Sequence, residues 1–230
     1  NLLKNEKTIA MNRIFLIYDK YKDWKPTYYL FSSTNVKDKN WGKEWLSSVR
    51  EAISKPETTS FIASDFKTYI DPDGEYKKVN WFNSLTETKP DHKGEVIDEV
   101  FSTDIVERID KSGTSMNIAL QLAYHMGFAE IVLIGVDLGW TKDYGSKNDP
   151  NHFDKSYRAN IVNPYKANQQ MRNIHKLAYS VFNKNKPNIK MYNASLKTVL
   201  DIYPIIEFET YEKNNKIIER ANEMNLANSF

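Results

Sequence analysis

Two groups of side chains in this sequence could do chemistry. The first centres on His152, in Asp149-Pro-Asn-His-Phe-Asp154. An imidazole titrates near neutrality and is the side chain most often used as a general acid or base. His152 shares a polar, irregular stretch from 138 to 163 with Trp140, Tyr144, Asp154, Tyr157 and Arg158. A surface histidine with no chemical role is the competing reading. The second group is Asn12, Ser32, Thr114, Ser115, Asp137 and Asn193, polar residues that stand where strands are expected to end or a helix to begin. Amides and hydroxyls in such places can hold a nucleotide, although a turn asparagine or a helix cap would be built from the same residue types. Asp137, Asp143, Asp149 and Asp154 could gather around Mg²⁺ and a diphosphate, or be solvated loop charge. His125 and His175 fall on expected helices as packing or surface residues, and His92 lies in a polar loop.

The elements that would position these residues follow from periodicity. Gly113-Thr-Ser115 supplies a flexible turn and a capping hydroxyl, after which Ile118, Leu122 and Met126 recur at helical spacing. Gly127 stops that helix, and Ile131 to Ile134 is a continuous apolar run, expected as a central parallel strand covered on both faces. Asp137 then stands at a strand's carboxyl end, the edge at which open α/β sheets bind ligands, with a helix start beside it to receive a phosphate. A strand is expected from about residue 7, where the apolar run Thr8 to Met11 ends at Asn12 and Arg13 and is continued by Phe15 to Tyr18, and others over Thr27 to Phe31, over Thr58 to Ala63 and over Ile189 to Tyr192. The spacing of Trp45, Leu46, Val49 and Ile53 predicts a helix over 42–53. Pro164 is expected to open another through Lys184, with Met171, Ile174, Leu177, Ala178 and Val181 inward. Between Ser64 and Lys93 no period persists, so a surface excursion, lid or hairpin lobe is expected there. Val96 to Phe101 is read as a return to the sheet, and the tail from about 214 as a polar helix.

Composition narrows the function classes. The chain has 230 residues, with 32 lysines and arginines against 30 acidic residues, and a net charge of +2 argues against a strongly basic nucleic-acid surface. There are no cysteines, which removes disulfides, thiolate metal sites and cysteine nucleophiles. No apolar run reaches the roughly 18 residues of a membrane span. Neither the Walker loop nor the Gly-x-Gly-x-x-Gly dinucleotide signature is present.

Taken in order, Ile9-Ala-Met-Asn12, Pro26-Thr-Tyr-Tyr29, Gly113-Thr-Ser115, Met126-Gly-Phe-Ala-Glu-Ile131, Ile134-Gly-Val-Asp137, Asp149-Pro-Asn-His152 and Tyr192-Asn-Ala194 carry a resemblance. The chain resembles the bacterial motility-accessory and 6-hydroxymethylpterin-diphosphokinase-like family, which is similar in turn to bacterial lipooligosaccharide sialyltransferases. The resemblance runs over about residues 8–208. It implies an α/β, Rossmann-like, mostly parallel sheet with helices on both faces. A single domain over 1–230 is expected, with irregular excursions at about 64–95 and 138–163, lacking the family's first strand and Gly-x-Gly-Pro-Ser loop.

By the same resemblance Asn12, Thr114 and Ser115 become nucleotide contacts, joined by Ser32, Asp137 and Asn193. The sialyltransferase tyrosine pair that assists the leaving phosphate has Gly139 at one of its places and Tyr144 near the other. The catalytic base of those enzymes falls a few residues beyond His152, where Ser156 stands. The implied activity is a nucleotide-sugar-dependent glycosyltransferase in surface polysaccharide, lipopolysaccharide or flagellin glycosylation. His152 is then the base, and Tyr144 or Tyr157 serves the leaving phosphate. The donor would be CMP-sialic acid or a related nucleotide sugar, the acceptor a glycan or glycoprotein, and no metal is required. Two alternatives stay open: a Mg²⁺-dependent diphosphokinase acting on a pterin-like alcohol, and a non-catalytic sugar- or nucleotide-binding accessory protein. A cytoplasmic location is expected, with a peripheral place at the inner membrane and a homo-oligomer both left open.

Overall fold

The computed structural model describes residues 3, 5–37, 39–40, 42–85, 101–111, 113–139, 152–157, 164–211 and 213. The fold is α/β, with a four-stranded, all-parallel sheet in the Rossmann-like manner. Strand β1 (Ile9–Met11) leads into β2 (Tyr28–Phe31), α1 (Gly42–Ile53), β3 (Thr59–Ala63), the short helix α2 (Lys67–Ile70) and β4 (Val79–Phe82). The sheet order is β1-β2-β3-β4, with Ile9 opposite Tyr28, Tyr28 opposite Thr59 and Ser60 opposite Val79. Two threonines lock the start of the first pair: each donates its backbone N–H to the other's hydroxyl, Thr8 to Thr27 at 3.2 Å and Thr27 to Thr8 at 3.0 Å.

Further along come β5 (Ser84–Leu85), β6 (Ile109–Asp110), α3 (Ser115–Met126), β7 (Glu130–Leu133), α4 (Pro164–Asn185) and β8 (Lys190–Asn193). β5 pairs with β6 and β7 with β8, again in parallel. A parallel pair needs a crossover, and between β7 and β8 helix α4 lies in it. On α1 the apolar stripe Trp45, Val49, Ala52 and Ile53 is buried, as its spacing predicts.

Helix α3 departs from its expected amphipathic form, because every residue from Asn117 to Tyr124 is buried. Ile118, Ala119 and Leu122 belong to one core with the main sheet and α1. Leu120 and Tyr124 belong to a second core, with Phe101, Phe182, Met191 and Tyr203. A helix buried all round stands between two apolar layers. Ala119 and Ala123, small enough to let neighbours approach, make that sandwich possible. On α4 the enclosed stripe is Ile174, His175, Ala178 and Phe182, while Met171, Leu177 and Val181 are only partly covered.

Three further expectations are corrected. The apolar run after Arg13 does not continue the first strand, since Ile14–Ile17 forms a 3-10 helix. The stretch read as a lid or hairpin lobe contributes to the main core as far as Phe82. Phe66 and Ile70 are fully buried, Phe82 nearly so, and β4 completes the sheet. Strand β7 is not covered on both faces: Ile131 and Val132 are half-buried, Ile134 is 51% exposed, and β8 is its sheet partner. Of the return strand read over 96–101 only Phe101 is described, outside any strand and buried in the second core, and the tail helix from 214 lies outside the described residues. Among those residues, no helix is long and apolar enough to cross a membrane.

Candidate functional site

The carboxyl ends of β1 and β2 meet the start of α3. Asn12 follows β1 with a φ of 53°, in the left-handed region that asparagine tolerates better than most residues. Its backbone N–H donates to the Leu30 carbonyl at 3.0 Å, and its carbonyl accepts from the Tyr29 hydroxyl at 2.7 Å, so the turn is held from both sides. This leaves the Asn12 amide at the edge, where Nδ2 donates to Ser115 Oγ at 3.3 Å. Ser32 Oγ lies 3.3 Å from the same Ser115 hydroxyl. Three elements far apart in sequence thus bring Asn12, Ser32 and Ser115 together. These contacts sit at the long end of hydrogen-bond geometry, so a ligand with better-placed polar atoms displaces little of value. Thr114 is next in line but already employed: it is the N-cap of α3, its Oγ1 accepting from the Met116 N–H at 3.3 Å.

Gly113 shows how tightly that helix start is fitted. Its φ is +71°, and a Cβ added there would overlap Ile174 Cδ1 on α4. Gly113→Ala should therefore cost about 1–3 kcal/mol through left-handed strain and overpacking. Ile174→Val, which deletes the clashing methyl, should recover part of that in the double variant. Urea unfolding of the four proteins checks this, and an alanine variant as stable as wild type would disprove the close fit.

The His152 segment is pinned to the same edge. Arg13, adjacent to Asn12 and only 4% exposed, donates from Nη1 to the carbonyls of Ser156 at 2.5 Å and Tyr157 at 2.8 Å. The Tyr157 ring stands edge-on to Trp45 with centroids 5.5 Å apart, and His152 stacks flat on Tyr157 at 3.9 Å and 10°. Trp45 is fixed by the α1 core, so the platform under the imidazole is rigid. The Asp154 carboxylate accepts from the Ser156 hydroxyl at 2.6 Å and N–H at 2.7 Å. Those bonds, the hydroxyl's first, hold its pKa below the usual carboxylate range. The anchors of the segment are Arg13 and Trp45. Tyr144 lies outside the described residues.

Asp137 and Asn193 belong to a separate pair of strands, at and beyond the ends of β8 and β7. Asn193 is fully buried. Its Nδ2 donates to the Val136 carbonyl and Thr198 Oγ1 at 3.2 and 3.1 Å, and its Oδ1 accepts from the Ser195 N–H at 3.0 Å. It fastens the loops after both strands and offers a ligand no exposed surface. The fastening has a reason: Leu138 carries a φ of 53°, costly for a leucine, and the carbonyl before it accepts from Thr198 Oγ1 and the Val199 N–H. Asp137 itself is accessible, with burial pushing its carboxyl pKa up and the Ser195 hydroxyl opposing.

Two lysines stand at the buried Phe66, which follows β3. Lys37 and Lys111 place their ammonium groups 5.2 and 5.9 Å from the centre of the buried Phe66 ring, and Lys111 pairs with Asp65 at 2.6 Å. Neither lysine stands out in a sequence so rich in them. Arg13 could have been found, because an arginine between the apolar runs Ile9 to Met11 and Ile14 to Ile17 must either reach solvent or be buried with partners. Among the described residues no three His, Asp or Glu side chains gather as metal ligands.

The fold is that of a Rossmann-like α/β protein with Asn12, Ser32 and Ser115 in contact at the carboxyl edge of its sheet. No family model, curated protein or solved structure matches the chain.

Proposed function

We propose that the chain is a nucleotide-sugar-dependent glycosyltransferase of sialyltransferase-like type, acting on a glycan or glycoprotein of the bacterial surface. The observation that carries this reading is the meeting of Asn12, Ser32 and Ser115 at the carboxyl edge, beside a segment that presents His152 on a rigid aromatic platform. Hydroxyl and amide groups suit the polar atoms of a nucleotide. In the reaction, His152 takes the proton of the acceptor hydroxyl as that oxygen bonds to the donor's anomeric carbon. The bond from that carbon to the phosphate oxygen breaks, and the nucleoside monophosphate leaves with both electrons. Tyr157, only 8% exposed and wedged between His152 and Trp45, serves this scheme as the platform for the base. The hydrogen bond to the leaving phosphate falls to Tyr144.

Calorimetric titration tests the binding step. CMP should bind without metal, and Ser115→Ala should weaken it about tenfold, the loss of a hydrogen bond to a charged or polar ligand group. ATP binding that needs Mg²⁺, with none for CMP, would favour diphosphate transfer to a pterin-like alcohol. No binding of either nucleotide would favour an accessory protein without chemistry.

A further inference from the structure

We propose that Arg13 is the positioning residue for His152, coupling occupancy at Asn12 to the place of the imidazole; this rests on the glycosyltransferase reading above. The two residues are neighbours across a left-handed turn, one facing the ligand edge and the other facing inward. A ligand that shifts the Asn12 turn also shifts the backbone from which Arg13 reaches, because the two residues share a peptide bond. Arg13 in turn grips the His152 segment by main-chain carbonyls, those of Ser156 and Tyr157. Its hold therefore fixes where the segment runs, whatever side chains that segment carries.

The guanidinium is itself constrained. Its central carbon lies 5.6 Å from the Trp45 ring centre and 5.7 Å from that of Phe15. A planar cation between aromatic rings has one well-defined orientation, which an ammonium on a flexible stem lacks. Tyr157 shares Trp45 as its support, and His152 lies on Tyr157. From Asn12 to the imidazole the path is thus one covalent step, two hydrogen bonds and one ring stack. Tyr29 strengthens the near end, since its buried hydroxyl clamps the Asn12 carbonyl at 2.7 Å. A shift at Asn12 is passed on because each link has a fixed partner. An arginine that merely stapled a loop would leave the histidine indifferent to events at Asn12.

The test is NMR of the full chain with labelled histidines, four in number, His152→Gln identifying the signal of interest. Stacking on Tyr157 should move the His152 ring proton upfield, and Tyr157→Leu gives its unstacked position. Arg13→Gln should carry the signal to that unstacked position while CMP affinity stays within a few-fold of wild type. Arg13→Lys, which keeps charge but not the planar fork, should leave it between the two. CMP should move the signal in wild type and not in Arg13→Gln. A folded Arg13→Gln with the His152 signal at its wild-type position would overturn the proposal; if that variant does not fold, an unmoved signal in Arg13→Lys does so. CMP that binds wild type without moving His152 would overturn the coupling. Failure of CMP to bind wild type at all would count against the nucleotide site, and the signal in the apo variants would still decide the role of Arg13.

Discussion

Replacing Gln121 by leucine is expected to lower the free energy of unfolding by about 4 kcal/mol, from two buried N–H groups left without their acceptor at about 1–3 kcal/mol each. Gln121 is fully buried on α3, and its side-chain oxygen accepts from the backbone N–H groups of Ser102 and Asp110, both at 3.0 Å. Its amide nitrogen donates to the Asp110 carbonyl at 2.7 Å and to the Asn117 carbonyl at 3.0 Å. One side chain thus satisfies the main chain at residue 102 and at the end of β6, where no helix or sheet ladder does so. Leucine has nearly the same volume, so packing changes little and the loss isolates the polar term. Denaturant unfolding of the two proteins measures it. A loss below about 1 kcal/mol would mean that water or a local shift supplies the missing partners.

The same residue illustrates what a sequence conceals. The helix over 115–126 was legible because its cap, its apolar spacing and its closing glycine all agree. The main sheet was legible strand by strand except for β4, since Val79-Asn-Trp-Phe82 is short, carries a polar residue and follows a turn-rich stretch. Its place comes from pairing with β3, a tertiary fact that local pattern does not hold. Gln121 among apolar neighbours reads as an ordinary polar residue on the outer face of a helix. Only the second core on that face makes it interior. β7 failed in the opposite sense: an apolar run is compatible with a strand covered on both faces and with one covered in part, and periodicity does not separate them.

The candidate site was legible to a similar depth. Asn12, Ser32 and Ser115 could be placed on one edge from the direction of parallel strands alone, and they touch. Asn193 and Asp137 were assigned to that group because they too follow strand ends, yet they belong to a different pair of strands, where Asn193 ties loops together. Which chemistry-bearing residues converge depends on which strands pair, and His152 depended on Arg13, a residue whose role lies wholly in backbone contacts that a sequence does not display.

The second large effect is a pH dependence set by His175. This histidine is 1% exposed on α4, packed edge-on against Tyr203 with ring centres 5.6 Å apart, and its Nδ1 lies 3.0 Å from the Tyr203 hydroxyl. Burial drives its pKa down to about 4. In the unfolded chain the imidazole returns to about 6.5. Between those two values the unfolded chain binds a proton that the folded protein does not, so unfolding gains as the pH falls. The contribution of neutral His175 is complete above about pH 6.5, shrinks through the interval and is gone near pH 4, a total of about 3 kcal/mol. Carboxylates also alter stability at the acid end, so the informative quantity is a difference. Asp137, with its raised pKa, and Asp154, with its lowered one, act in opposite senses there. His175→Asn keeps a nitrogen near Tyr203 but cannot titrate. It should be less stable than wild type at pH 7, yet its stability should fall less steeply between pH 6.5 and 4, until the gap between the two proteins closes by about 3 kcal/mol. Unfolding midpoints of both proteins across that range provide the measurement. Parallel pH curves would mean that His175 takes up its proton in the folded state, and that the second core admits more water than its close packing around Phe182 and Tyr203 allows.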